Sequence, residues 1–321
     1  MAWPLIKYLP ERTNLRFVRL APLAALLSLT GVLGSLALIL APLAQGKGVG
    51  FNLGIDFKGG ILLDLRSPEP IELDRLRARI GELGLGDFQL QDYGTATEVQ
   101  LRFETPERGE PAAAVGAVQT AARELIPGVE FQRVEVVGPQ VSGELLWSGV
   151  AALGTAIGLM LLYIWFRFEW QFGLGAVIAL LHDVILTMGL FAVLKLEFTL
   201  TVVAALLTII GYSINDTVVI FDRLRENLRK FKKMPLKDVI DLSVNETLSR
   251  TIMTGLTTLM ALGAMLYLGG EALFGFTLAL FFGVIVGTYS SVYVAAPVIL
   301  LWGVKRGAER AEHAEAEAGA G

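Results

Sequence analysis

Phe198-Thr-Leu-Thr-Val-Val-Ala-Ala-Leu-Leu-Thr-Ile-Ile-Gly-Tyr-Ser-Ile-Asn-Asp-Thr-Val-Val-Ile-Phe221 is long enough and apolar enough to cross a bilayer, yet it carries a carboxylate at Asp216. An ionised acid in that setting costs at least ~2.5 kcal/mol on the gentlest insertion scale. The cheap escape is to bind a proton. The stretch therefore reads as a membrane helix with a proton or ion site in it. At ~1.5 Å per residue, Asp216 lies ~10 Å from Arg223, the first base beyond the run, so it sits inside the membrane but away from the midplane.

The rest of the chain fits that reading. Its 321 residues are 54% hydrophobic and 18% charged, and the apolar residues are clustered, as in an integral membrane protein. Five further apolar segments fall at roughly 20–43, 146–166, 173–194, 251–268 and 274–303. The first follows Lys7, Arg12, Arg16 and Arg19. It is too long for the apolar core of a signal peptide, and Ala41-Pro-Leu-Ala-Gln45 makes a poor cleavage site, so an uncleaved helix is expected. Cysteine is absent and only His182 and His313 are present, which excludes disulfides, thiolate metal sites and a histidine metal cluster. No cofactor and no nucleic-acid partner is expected.

Basic residues are segregated. The segment 1–19, the 222–250 interval with Arg223, Arg225, Arg229, Lys230, Lys232, Lys233, Lys237 and Arg250, and the tail with Lys305, Arg306 and Arg310 hold most of them. The positive-inside rule puts these, and both termini, in the cytoplasm. The polar interval 44–145 then lies outside. Within it, strand-like Phe51–Phe57 and Ile61–Arg66, a helical repeat from Ile71 to Leu83, alternation at 88–93 and 99–103, a helical Ala112–Ile126 and a last alternating run from Val129 predict βαββαβ order. The expected fold class is an α-helical polytopic membrane protein of six transmembrane helices, with one α+β ferredoxin-like periplasmic domain between helices 1 and 2. Leu236, Val239, Ile240, Leu242 and Val244 predict an amphipathic helix on the inner leaflet within the 222–250 loop. The tail, 304–321, alternates Ala with Glu and Arg and is expected to be disordered.

Arg250 opens the fifth helix at the level of Asp216 and is its expected partner. Thr254, Thr257 and Ala261 follow at i+4, i+7 and i+11 and predict a polar stripe facing it. Asn215, Ser213 and Thr217 flank the acid as hydrogen-bond partners. Arg250 as a snorkelling anchor is the plain alternative. His182-Asp183, inside the third segment, reads as a second relay element or a helix–helix hydrogen bond. Gly154-x3-Gly158, Gly283-x3-Gly287 and Gly287-x3-Ser291 predict close helix packing.

Several of these segments resemble one family. Phe51-Asn-Leu-Gly-Ile-Asp-Phe-Lys-Gly-Gly60, Val137–Gly143, Gly211 to Asn227, Asn245-Glu-Thr-Leu-Ser-Arg-Thr-Ile-Met-Thr-Gly255 and Gly283 to Tyr293 are similar to signatures of the SecD/SecF protein-export membrane proteins, on the SecF side. The resemblance implies a resistance-nodulation-division membrane unit completed by SecD from another chain. It implies work beside the SecYEG channel, its SecA motor and YajC in the bacterial inner membrane. There the proton gradient drives unfolded preproteins through, with Asp216 and Arg250 on the family's proton path, and without enzymatic activity. Three rivals remain open at this point: a small-molecule exporter of the same superfamily, an intramembrane aspartyl protease using Asp183 and Asp216, and a passive assembly factor.

Overall fold

The computed structural model describes residues 13–46, 48–86, 88–93, 95–104 and 110–303. Lys7 and Arg12 of the expected cytoplasmic segment, and the whole tail 304–321, lie outside the described residues. In chain order the elements are α1 (Phe17–Ala44), β1 (Asn52–Leu53), α2 (Ile55–Lys58), β2 (Gly60–Arg66), α3 (Leu73–Gly81), β3 (Phe88–Tyr93), β4 (Thr95–Phe103), α4 (Pro111–Leu125), β5 (Glu130–Val137), α5 (Pro139–Arg167), α6 (Trp170–Leu194), β6 (Glu197–Phe198), α7 (Leu200–Lys230), α8 (Leu236–Leu268), α9 (Glu271–Ser290) and α10 (Ala296–Trp302). Among them six helical stretches are long and apolar enough to cross a membrane: Phe17–Ala44, Gln140–Arg167, Trp170–Leu194, Leu200–Lys230, Leu236–Leu268 and Leu273–Trp302. The chain divides into two compact units, one of residues 52–151 and 197–201, the other holding the rest.

The first unit is α/β. Its sheet has the order β3-β4-β2-β5 with every neighbouring pair antiparallel. The register sets Ile61 against Phe103, Leu63 against Leu101 and Leu65 against Val99. Alternation sends these six side chains to one face. There they meet Leu76 and Ile80 of α3 and Val118, Ala121 and Ala122 of α4 in the core. The opposite face carries Asp64 and Gln100, paired in register, with Gln100 Nε2 donating to Asp64 Oδ1 at 3.0 Å.

Phe51–Phe57 does not continue as the strand its pattern predicts. Only Asn52 and Leu53 pair, in parallel with Glu197 and Phe198. The chain then turns through α2, whose N–H groups at Phe57 and Lys58 bond back to Gly54 O. Two glycines release it into β2: Gly59 at φ +74° and Gly60 at φ +124°. A Cβ at Gly60 would also stand 2.9 Å from Phe103 O. Both conditions call for glycine.

The connection between α6 and α7 belongs to this unit, because three bonds hold it there. Glu197 and Phe198 pair with β1. Arg102 bridges Glu197 and also donates to Leu53 O. Asp56 Oδ2 accepts the Leu200 N–H at 2.8 Å, closing one of the orphan donors at the start of α7. Burial raises the Glu197 carboxyl above the ordinary carboxylate range, and the neighbouring Arg102 opposes that.

In the membrane unit the helices outrun the sequence reading. α7 runs on to Lys230 and α8 begins at Leu236, so the amphipathic helix expected over 222–250 is not a separate surface element. Its apolar stripe is buried instead: Val239, Ile240 and Val244 are core residues of α8. The polar side chains of the same interval tie the two helices. Arg223 bridges Glu246, and Asn227 donates to both Ser243 and Glu246. The start of α1, where Arg16 provides no side-chain cap, is closed from α8. Asp241 accepts the Val18 N–H, and Asn245 accepts the Leu15 N–H.

Small residues mark the close approaches. Gly189 of α6 faces Ser35 of α1, Gly283 of α9 faces Ile209 of α7, and Gly287 of α9 faces Ser213 of α7. Gly154 and Gly158 behave differently from the packing their spacing predicts, since a Cβ at either meets nothing within 4 Å. A break in the last span, a π turn over Ser291–Ala295 followed by Pro297, admits α6: a Cβ at Gly175 would sit 2.8 Å from Ala295 O.

Burial raises the Asp64 carboxyl, and the Gln100 bond lowers it by less. A raised native value means that this group's contribution to stability is present at acid pH and is lost as pH climbs through that value. Asp64→Asn keeps an acceptor for Gln100 and removes the ionisation. The variant is expected to unfold at a higher temperature than the parent at pH 7, with the difference closing by about pH 4, below which both side chains are neutral. Thermal unfolding of the full detergent-solubilised chain across pH reads this directly.

Candidate functional site

Among the described residues two carboxylates are buried in the membrane unit, and the structure treats them oppositely. Asp183 on α6 is fully buried and saturated. Its Oδ2 accepts Ser213 Oγ from α7 at 2.6 Å and Ser290 Oγ from α9 at 2.8 Å. Its Oδ1 lies 2.9 Å from His182 Nδ1. The other ring nitrogen, Nε2, is 3.1 Å from Ser28 Oγ of α1, which in turn is 3.0 Å from Tyr289 OH, whose proton goes to Ala24 O at 2.9 Å. Four helices are thus joined through one His-Asp pair. The hydrogens can be counted. With Nδ1–H given to Asp183, the contacts Nε2···Ser28, Ser28···Tyr289 and Tyr289···Ala24 O share two hydroxyl protons. A third proton, on Nε2, satisfies all three at once.

Asp216 on α7 is 2% exposed. Its Oδ2 makes no hydrogen bond among the described residues. Arg250, on α8, is the charged side chain whose field reaches it. No ion pair closes between the two. The hydroxyls of Thr251 on α8 and Thr288 on α9 are likewise buried without a partner among the described residues. A buried carboxylate oxygen with nothing to accept from is costly while charged, and far less so once protonated.

The residues expected around Asp216 are not gathered there. Ser213 is committed to Asp183, and Thr217 shares a 2.8 Å hydrogen bond with Ser291. Asn215 is exposed. Thr254 bonds back to the Arg250 and Thr251 carbonyls, and Thr257 to those of Met253 and Thr254, so both hydroxyls serve their own helix. The stripe predicted through Arg250, Thr254 and Thr257 is not the buried face of α8. The inward seam of α8 is Ser243, Thr247, Thr251 and Gly255, all buried and spaced by four. Arg250 stands one position, ~100° of helix, away from it. A stripe counted from Arg250 followed the outward charge; counting from the small and hydroxyl residues finds the seam.

The comparisons with known proteins follow from these same segments. Residues 117–305 match the model of the protein export membrane protein SecD/SecF C-terminal region, and residues 48–67 match the SecD/SecF GG motif. The chain belongs to the SecD/SecF family. The protein translocase subunit SecF of Rhodobacter capsulatus is 47% identical over 321 residues, covering 95% of this chain and 94% of the relative. SecF of Cereibacter sphaeroides is 46% identical over 94% of each. The crystal structure of SecDF from Thermus thermophilus, described as a translocon-associated membrane protein, aligns over 94% of this chain with a TM-score of 0.81 and 34% identity. The chain spans 40% of that SecDF protein. The SecF relatives carry the name of a transport component, not an enzyme, which places this chain apart from the proteases. The GG-motif match contains the Gly59-Gly60 turn, and the SecD/SecF C-terminal match contains Asp183, Asp216 and Arg250.

The Asp183 hub makes a stability prediction. Ser290→Ala removes one donor to Oδ2 while Ser213 remains. The expected loss is about 0.6 kcal/mol, the average for a hydrogen bond between membrane helices, and no more than about 1.7. It is read as a lower unfolding temperature in detergent, whereas Thr257→Ala, whose hydroxyl bonds only its own helix, leaves that temperature unchanged.

Proposed function

We propose that this chain is the SecF-type half of a proton-driven protein-export unit of the resistance-nodulation-division class, paired with SecD in the bacterial inner membrane. One observation carries the reading: of the two buried acids, Asp183 is saturated by hydrogen bonds and Asp216 has an oxygen without any. The saturated acid has little to gain from a proton. The unsaturated one gains a neutral, lower-cost state each time it takes one. Arg250 biases that exchange from α8, and movement of Arg250 toward or away from Asp216 changes which charge state is favoured. His182-Asp183 is the second relay element, since a proton on Nε2 completes the hydroxyl chain to α1 and α9.

The basic residues at the α7–α8 end support a cytoplasmic position for that end and for both termini. That orientation assigns the α/β unit to the periplasm, where its strand order and βαββαβ sequence support a ferredoxin-like reading. α7 is the transmitting element. Its first turn is fixed in the α/β unit through Asp56 and the Glu197–Arg102 bridge, and 16 residues on it carries Asp216. A shift of α7 on protonation is thereby handed to the α/β unit, which acts on the emerging preprotein. SecYEG, SecA and YajC are the partners this role calls for. A shared-proton carboxylate dyad has no support, because Asp183 spends both oxygens on His182, Ser213 and Ser290.

Asp216→Asn keeps the shape and removes the titration. In cells or inverted membrane vesicles bearing the cognate SecD, the variant is expected to assemble normally. Its proton-gradient-dependent preprotein export falls to the level seen without this chain. Full gradient-dependent export by Asp216→Asn overturns the proposal. The transmission is tested separately. Arg102→Gln and Glu197→Gln each leave a half-buried charge unpaired, at about 1–3 kcal/mol, and reduce export while leaving proton uptake at Asp216 intact. The double variant costs less stability than the sum of the two.

A further inference from the structure

An apolar groove of about 540 Å³ runs between α5 and α6, lined by Gly158, Leu161, Trp165, Trp170, Gly173 and Val177 among others. The volume falls within the roughly 300–1,000 Å³ of small-ligand sites. Its walls are made by absence of bulk: a Cβ at Gly158 meets nothing within 4 Å, and one at Gly173 makes only ordinary contact with Ile164. Trp165 and Trp170, 72% and 55% exposed, stand at one end. Tryptophans of this exposure mark the level of the lipid headgroups.

Cationic groups sit at that same end. Phe168, in the turn between the two tryptophans, is covered by two guanidinium groups, those of Arg167 at 5.5 Å and Arg225 at 5.4 Å. Arg167 is paired with Asp222 at 3.1 Å. Arg225 donates one bond to Arg167 O and has no carboxylate partner among the described residues. Its remaining donors lie beside the 165–170 turn that joins the two walls of the groove, in a fork suited to a phosphate.

We infer that this groove is a phospholipid site: one acyl chain lies between α5 and α6, and the lipid phosphate is held by Arg225. The occupant is set by the two chemistries found side by side. The groove supplies only apolar contact, which any lipid tail satisfies. The guanidinium of Arg225, without a carboxylate partner among the described residues, selects a tail that carries a phosphate over one that does not. The inference does not rest on the proton reading, since neither the groove residues nor Arg225 enters the hydrogen bonds described at Asp183.

Native mass spectrometry of the full chain in complex with its SecD tests it. Dioleoyl phosphatidylethanolamine, dioleoyl phosphatidylglycerol and dioleoylglycerol serve as probes in separate titrations. Both phospholipids are expected to be retained and dioleoylglycerol, which has the tails without the phosphate, to be lost. Arg225→Gln is expected to weaken phospholipid retention about fivefold, the effect of one cation at the membrane surface, and Arg225→Lys to preserve most of it. Gly158→Leu, which fills open space without a clash, removes retention while Arg225 is intact. Equal retention of dioleoylglycerol and the phospholipids overturns the assignment. So does unchanged retention in both Arg225→Gln and Gly158→Leu, or cross-linking of Gly158→Cys to a neighbouring polypeptide in place of lipid.

Discussion

Everything in the membrane unit depends on one constraint: a polar group inside hydrocarbon must be satisfied by the protein, because no solvent will do it. Asp183 meets that constraint by drawing α7 and α9 onto α6. The bonds are side chain to side chain and short, so the helices must come close. That explains the small residues on the lines of approach. Gly287 lies against Ser213, where a larger side chain would hold α9 off α7, and Gly189 lies against Ser35, where one would hold α6 off α1. The polar hub and the small-residue contacts are two aspects of one packing solution.

The same constraint separates what the sequence shows from what it hides. The six spans are legible because length and apolarity are local properties, and so is the order of elements in the α/β unit, where periods of two and of 3.6 alternate along the chain. The partners of His182 and Asp183 are not legible. Ser28 is 154 residues from His182 and Ser290 is 107 residues from Asp183, and nothing local distinguishes these serines from others. Spacing also misleads where it names a face without a neighbour. Gly154-x3-Gly158 has the form of a helix-packing motif, but a Cβ at either glycine meets nothing within 4 Å among the described residues, and Gly158 lines a groove instead. The 222–250 interval has the form of a surface helix, but its apolar stripe is the buried side of α8.

Arg250 shows a subtler limit. A charge near a membrane boundary is conspicuous in a sequence, so it invites every periodicity to be counted from it. An arginine extends outward to find water, however, and the residues that line its own side of the helix share that outward direction. The buried seam runs through the less conspicuous Ser243, Thr247, Thr251 and Gly255. Helix faces in membranes are better read from small and hydroxylated residues, which must face protein, than from charges, which can reach past the hydrocarbon.

α7 holds the two acids' contrast together. Ser213 ties it to Asp183, Thr217 ties it to Ser291, and between these two anchors lies Asp216, with an oxygen left over. A helix fixed on both sides of an unsatisfied acid cannot relax by rolling that acid toward another partner without giving up bonds already made. Its remaining responses are to change the charge on Asp216 or to shift as a body. The first turn of the same helix is held as well, through the Leu200 N–H given to Asp56. Taking a proton is the response that breaks none of these bonds.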